Sequence, residues 1–274
     1  MPELPEVETI SRELQEIAGR RIVAVEVRWA RTVAGADEAA FARRLRGQVI
    51  TAVSRRGKWL ALTLDGGDTL LVHLRMSGRL ILEPASTADD PHARVLLTLD
   101  DGRRLRFSDP RKFGRMALTA DPADVLGALG PEPLDPALTP ERFAAMLAAR
   151  RARLKPLLLD QRFLAGLGNI YADEALWRAC LHPLRLASTL SADEAARLLT
   201  AIRAVLTQAI ERRGTTMDDG GYVSARGLPG DFAGQIAVYG QKGRPCPRCQ
   251  TPIERIAVGG RGTHFCPRCQ SRNA

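Results

Sequence analysis

The 274-residue chain has no run of 18 or more apolar residues, so no membrane-spanning helix is expected. Its N-terminus lacks the basic stretch that opens a secretory signal and carries Glu3 and Glu6 instead, which predicts a cytoplasmic protein. No internal repeat is found, and this excludes a solenoid or propeller. Cysteine is scarce: of five residues, four fall between positions 246 and 269, and a fold stapled throughout by disulfides is excluded. Acids are outnumbered, with 31 Asp and Glu against 40 Lys and Arg, so the formal charge is +9.

The apolar fraction of 45% suits a folded chain, and the length allows two ordinary domains. The positive charge is clustered. Residues 241–274 hold seven Lys or Arg against one acid, and residues 101–120 hold six against two. Such clusters fit a surface that tracks phosphates, although two solvated faces would read the same way.

Val7, Ile10, Leu14 and Ile17 recur at helical spacing, which predicts one amphipathic helix over 2–18. Glu3 and Glu6 lie in its first turn, where acids favour the helix dipole. From 21 to 119 the chain changes to β-rich runs (IVAVEV, VITAV, WLALTL, TLLVHL, ARVLLTL, RLRFS, RMALT) with Gly/Asp turns between several of them, and an antiparallel sandwich follows. Five prolines in 121–140 predict a linker. Beyond it, helices are expected over 140–149, 154–160, 169–180 and 191–213. The stretch 214–234 holds six glycines without a period, as a lid or binding loop would. The predicted divisions are a β domain over 1–120, the linker 121–140, a helical domain with the glycine-rich loop over 141–236 and a terminal module over 237–274.

Cys246-x-x-Cys249 and Cys266-x-x-Cys269, sixteen residues apart, have the spacing of a four-thiolate zinc site. Four sulfurs close the coordination sphere, so one structural Zn2+ is expected, with a redox pair or disulfides as the competing reading. Cys180 is left over and is expected as inert core on a helix. Between the cysteine pairs, Ile253, Ile256 and Val258 lead into Gly259-Gly260-Arg261-Gly262-Thr263, a β-hairpin with Arg261 near its tip.

The opening Met1-Pro2-Glu3-Leu4-Pro5-Glu6 joins this hairpin in a larger pattern. With His73-Leu74-Arg75-Met76-Ser77-Gly78, Asp109-Pro110-Arg111-Lys112-Phe113-Gly114, Gly166-Leu167-Gly168-Asn169-Ile170-Tyr171 and Val238-Tyr239-Gly240, the chain resembles the bacterial formamidopyrimidine-DNA glycosylases over its full length. The resemblance implies an α+β fold: an N-terminal β-sandwich with an N-terminal helix, then a helical domain with a helix-two-turn-helix motif and a β-hairpin zinc finger. It implies a monomeric, nucleoid-associated base-excision-repair enzyme, removing 8-oxoguanine and formamidopyrimidines from duplex DNA and cleaving abasic sites by β,δ-elimination.

In that family Pro2, freed of Met1, is the nucleophile; its secondary amine, with an α-amino pKa of about 7.7–8, holds far more of the unprotonated, nucleophilic form near neutrality than a free lysine does. Glu3 acts as general acid/base, Glu6 supports it, and Lys58 matches the family's β-strand lysine near the lesion. A base must leave the stack before its sugar can be reached. The resemblance gives Met76, Arg111 and Phe113 the filling of the hole, with Arg111 on the orphaned cytosine, and gives His73, Asn169, Tyr239 and Arg261 the grip on the backbone. Thr215 and Thr216 open the lesion-recognition loop, while Asp218-Asp219-Gly220-Gly221-Tyr222 does not map onto the family's frame. Some relatives carry Glu where Ser77 stands.

Taken singly, these residues have blander readings. Glu3 and Glu6 would be helix-end acids, Lys58 a solvated strand lysine, Met76 and Phe113 core, Asn169 an N-cap and Arg261 an exposed arginine. Two other functions remain in view. A glycosylase of the endonuclease VIII type would begin Pro-Glu-Gly-Pro-Glu and lack the Arg-x-Phe wedge, against Leu4, Arg111 and Phe113 here. A non-catalytic DNA-binding protein would leave Pro2, Glu3 and Lys58 unexplained.

Overall fold

The computed structural model describes residues 2–35, 37–217 and 220–272. Removal of Met1 and the contacts of Asp218 and Asp219 lie outside the described residues. The chain divides into two compact units, one of residues 1–128 and 210–233, the other of 129–209 and 234–274.

In the first unit, α1 (Leu4–Glu13) carries Pro5 in its first turn, and with the turn that follows it buries the predicted stripe; Val7, Ile10, Leu14 and Ile17 are all inaccessible to solvent. Its continuation tightens into a 3-10 turn over Leu14–Ile17 rather than running on as α-helix. Nine strands follow: β1 (Ile22–Val27), β2 (Val33–Ala34), β3 (Ile50–Arg56), β4 (Trp59–Leu64), β5 (Thr69–His73), β6 (Arg79–Pro84), β7 (Ala93–Leu99), β8 (Arg103–Ser108) and β9 (Arg115–Thr119). They form a four-stranded sheet ordered β1-β7-β8-β6 and a five-stranded sheet ordered β2-β9-β5-β4-β3. All pairings are antiparallel except the two-residue β2–β9 contact. One apolar cluster draws Leu60, Leu62, Leu70 and Val72 from the larger sheet, Val95, Leu97, Leu105 and Phe107 from the smaller, and Val7 and Ile10 from α1.

Besides the two-residue β2, one helix and strand β6 of this unit were not legible as hydrophobic runs. Helix α2 (Glu38–Leu45) buries only Phe41 and Leu45, and is started by Asp37, whose carboxylate accepts the Ala40 N–H at 2.7 Å. Strand β6 carries Arg79 and Glu83 among its apolar residues; Glu83 is buried because Arg104 and Arg106 pair with it.

The second unit is helical. The short helix α3 (Ala123–Leu126) precedes it. Then come α4 (Pro140–Ala148), capped by the Thr139 hydroxyl, α5 (Leu154–Leu159), α6 (Asn169–Arg178) and α7 (Ala192–Glu211). Ser191 and Glu194 form a reciprocal capping box at the start of α7. Strands β10 (Glu254–Val258) and β11 (Arg261–Phe265) pair across Gly259-Gly260, both at positive φ, in the two-residue turn that matches strand twist. Among the described residues no helix is long and apolar enough to cross a membrane.

The glycine-rich segment 214–233 packs with the first unit, whereas its place in the sequence grouped it with the helical domain. Hydrogen bonds from Thr215 to Glu6 of α1 and from Leu82 of β6 to Ala225 hold it there.

Candidate active site and nucleic-acid interface

Of the expected catalytic set Pro2, Glu3, Glu6, Lys58 and Arg261, the N-terminal turn gathers the first three in a buried place. Pro2, Glu3 and Glu6 are all buried, the two acids to within 2% of full burial. Glu3 is the N-cap of α1. One oxygen of Glu6 accepts the Glu3 N–H at 2.7 Å, and the other accepts the Thr215 N–H at 2.7 Å. Thr215 thereby joins the acids, and the Tyr222 hydroxyl donates to the Glu6 carbonyl at 3.4 Å. Burial first, then the Glu6 charge, pushes the Tyr222 phenol far above its ordinary range, so it stays a neutral donor. Gly214 is required at this point: its φ is +80°, and a Cβ there would lie 2.7 Å from Glu6 Oε1. Thr216 works within the loop, donating to the Tyr222 carbonyl at 2.9 Å and accepting the Gly230 N–H at 2.8 Å.

Lys58, expected within a strand, instead occupies the two-residue turn between β3 and β4, beside Gly57 at φ +57°. It is only 7% exposed, not the solvated lysine its context suggests. His73 ends β5, the neighbour of β4. Burial, then the charges of Arg75 and Lys58, push its imidazole down to about 3. Its ring is therefore neutral at physiological pH. Nδ1 accepts the Arg75 N–H at 3.0 Å, which leaves the ring proton on Nε2 as a donor.

Met76 and Phe113, with 38% and 47% exposure, are among the few exposed large apolar residues. Neither is core. Met76 follows Arg75, which is held at φ +57°, and Phe113 follows Lys112, held at φ +59°. Lys112 turns its ammonium onto the Trp29 ring, 3.9 Å from the centroid, while the Arg111 guanidinium lies 4.9 Å from the centre of the Phe113 ring. One buried carboxylate organises both turns: Asp109 accepts from the Ser77 hydroxyl at 2.5 Å, the Arg111 N–H at 3.2 Å and the Gly114 N–H at 2.6 Å. Asp109 is completely buried, and Arg94 donates to its carbonyl at 2.9 Å. Asp109 lies inside the Asp109–Gly114 motif, which in sequence gives it no role of its own. The only available signal was an acid preceding a Pro-Arg-Lys turn.

The second unit holds the remaining candidates. Asn169 is not the N-cap of α6; Gly168 is, and Asn169 is the first helical residue. Its Nδ2 donates to the Gly262 carbonyl of the hairpin at 3.1 Å, and its Oδ1 is buried without a hydrogen-bond partner. Arg261 is exposed and pairs with Val258 at the hairpin tip. The Tyr239 ring meets His264 edge-on at 5.2 Å.

Three buried charged residues that the sequence did not single out fix this arrangement. Lys155, fully buried, donates to Asp173 at 2.5 Å and to the Asn169 carbonyl at 2.9 Å, and Asp173 also accepts the His264 N–H at 2.9 Å. Removing one member of such a pair strands the other in a medium that cannot solvate it, at a cost of about 3–5 kcal/mol. Glu174 accepts three successive N–H groups, those of Ala237, Val238 and Tyr239, at 2.9–3.0 Å. Burial nevertheless raises its carboxyl above the usual range. Acids on a helix read as surface charge in sequence, and only packing shows that Asp173 and Glu174 point inward.

The sulfurs of Cys246, Cys249, Cys266 and Cys269 all lie within 4.8 Å of one another. Four thiols converging from two knuckles, with no other acid or histidine in the group, suit a tetrahedral structural zinc. The Trp177 indole N–H points at Cys246 Sγ, 3.4 Å away. Cys180 corrects the expectation of a helix-core thiol: it stands just past the end of α6 at φ +57°, half-buried, with Arg248 donating to its sulfur at 2.7 Å.

An α+β chain with a buried Pro-Glu terminus, a helical unit and a four-cysteine hairpin defines a class, and comparison with known proteins narrows it. Residues 1–116 match the formamidopyrimidine-DNA glycosylase N-terminal domain, residues 129–220 that family's H2TH domain, and residues 243–272 the zinc finger found in FPG and IleRS. Formamidopyrimidine-DNA glycosylase of Herpetosiphon aurantiacus is 48% identical over 260 residues, covering 93% of this chain and 94% of the relative. That of a Roseiflexus species is 50% identical over 257 residues, covering 92% and 93%. Among solved structures, a Lactococcus lactis FPG variant in complex with Fapy-dG-containing DNA superposes with a TM-score of 0.92 at 35% identity, covering 99% of this chain and all of the other. The MutM (FPG) protein of Thermus thermophilus gives 0.89 at 46% identity, with 98% of each chain covered. The chain belongs to the formamidopyrimidine-DNA glycosylase family.

Proposed function

We propose that this protein removes oxidised purines, 8-oxoguanine and formamidopyrimidines, from duplex DNA and cleaves the resulting abasic site through its N-terminal proline. The observation that carries the proposal is the buried turn of Pro2, Glu3 and Glu6, tied through Glu6 to Thr215 of the glycine-rich loop. With Met1 removed, the Pro2 nitrogen forms a bond to C1′ as the glycosidic bond breaks, and the bond's electron pair leaves with the base, which takes up a proton. Loss of the amine proton and opening of C1′–O4′, with Glu3 delivering a proton to O4′, give an iminium. The Glu3 carboxylate, having given its proton to O4′, takes the C2′ proton; the C–H electrons pass toward the iminium and then expel the 3′-phosphate by β-elimination. A second elimination releases the 5′-phosphate, and water returns Pro2 as the free amine.

In this reading Lys58 attends the lesion and a nearby phosphate. Met76, Arg111 and Phe113 fill the hole left by the displaced nucleotide, and His73, Asn169, Tyr239 and Arg261 hold the backbone. His73 suits that task as a neutral Nε2–H donor. The first unit to about residue 120 is the catalytic domain, the loop beginning at Thr215 and Thr216 reads the base, and one zinc shapes the terminal hairpin. The protein acts as a monomer in the cytoplasm, at the nucleoid.

Borohydride trapping tests the proposal. A duplex containing 8-oxoguanine opposite cytosine should yield a covalent adduct that peptide mapping places on Pro2. A chain retaining Met1 should bind abasic DNA and give no adduct; normal turnover by that form refutes the nucleophile. Trapping confined to oxidised pyrimidines points to the endonuclease VIII type of activity.

A further inference from the structure

Strand β6 is an edge of its sheet, and the glycine-rich loop comes to lie along it. Two hydrogen bonds join them. The Leu82 N–H donates to the Ala225 carbonyl at 2.9 Å, and Arg79 Nη2 donates to the Gly220 carbonyl at 2.6 Å. The first bond is main chain to main chain and does not depend on any side chain. The second rests on one arginine. Between them, Arg79 and Ile81 of β6, Pro110 and the loop's Val223 contribute walls to a cavity of about 460 Å³.

Arg79 is an expensive residue for that place. Its Nε is buried without a hydrogen-bond partner, whereas nearly all buried polar groups find one. An apolar side chain would cover the sheet without that penalty. What the guanidinium adds is a donor aimed at one loop carbonyl. The loop's root is fixed independently, because Thr215 is held by Glu6 and Tyr222 reaches the Glu6 carbonyl.

We propose that Arg79 is a positioning residue: it sets the front of the 214–234 loop against β6 in the geometry that reads the damaged base. This rests on the loop's role given under Proposed function. Reading a base requires the loop in place, whereas a preformed abasic site has no base to read and needs only the amine and the backbone contacts. Arg79 therefore acts on excision and leaves cleavage of abasic DNA alone.

The test compares wild type, Arg79→Ala and Arg79→Lys under single-turnover conditions on duplexes carrying 8-oxoguanine or an abasic site opposite cytosine, with urea midpoints taken alongside. Arg79→Ala should lose about tenfold or more in excision while abasic cleavage stays within about twofold, since a misplaced recognition element acts on the step that uses it. Arg79→Lys, which keeps a donor, should recover part of the loss. Unchanged excision by Arg79→Ala overturns the proposal, and so does a parallel loss of both activities. A wild-type protein that cleaves abasic DNA but leaves 8-oxoguanine overturns the lesion assignment itself, and the inference falls with it; that outcome is visible before any variant is made.

Discussion

His73 shows how burial and charge can set the chemistry of a single side chain. Its folded-state pKa of about 3 lies below the ordinary 6.5, because burial and the Arg75 and Lys58 charges oppose protonation. Below pH 6.5 the unfolded chain takes up a proton that the folded chain refuses. The stability contribution is thus complete above 6.5 and is lost progressively as pH falls towards 3. His73→Gln carries no such dependence. Between pH 7.5 and pH 5 the wild type should lose about 2 kcal/mol more than the variant, read from urea unfolding. Equal losses would mean that His73 is not held neutral by the fold. Asp109 makes a related point by geometry: one carboxylate, through Ser77 and two backbone N–H groups, holds the Met76 turn and the Arg111–Phe113 turn to a common anchor. The hydroxyl of Ser77 supplies that link.

At the scale of elements, the hairpin β10–β11 is too short to stand by its own pairing, since an isolated two-stranded ribbon is marginal in water. Its stability comes from the cysteine knuckles and from α6, where Asp173 binds the His264 N–H and Asn169 binds the Gly262 carbonyl. Cys249→Ser removes one thiolate from the metal site. The expected outcome is weaker binding to abasic-site duplex by at least about tenfold in fluorescence anisotropy, as metal-linked folding of the hairpin is lost. Full affinity in a protein shown by metal analysis to lack zinc would contradict a shaping role for the metal.

For the molecule as a whole, 40 basic against 31 acidic residues make a polyanion the natural partner. Affinity for a duplex should fall linearly with salt on a log–log plot. Arg261→Ala, removing an exposed guanidinium at the hairpin tip, should lower the slope by about one and weaken binding alike on all sequences. A slope unchanged from wild type would show that Arg261 meets no phosphate.

Much of this was legible in the chain alone. Short β-rich apolar runs bounded by Gly/Asp turns gave seven of the nine strands in the first unit, and helical spacing gave α1 and the four main helices of the second. The cysteine spacing specified the metal site, since two Cys-x-x-Cys knuckles are local structures whose geometry needs little from elsewhere. The family motifs named the candidate residues in order. Strand β6 and helix α2 were missed because buried ion pairs and a sparse apolar face give no period. The tertiary structure alone decided that Lys58 sits in a buried turn, that Asn169 serves the hairpin rather than the helix cap, that Cys180 ends a helix, and that the loop after α7 packs on α1 and β6. The placing of Asn169 and of the loop depends on hydrogen bonds between residues far apart in sequence. Asp109, Lys155, Asp173 and Glu174 are of this kind: a charged residue can be buried only where distant partners satisfy it, and local sequence does not say where those partners are.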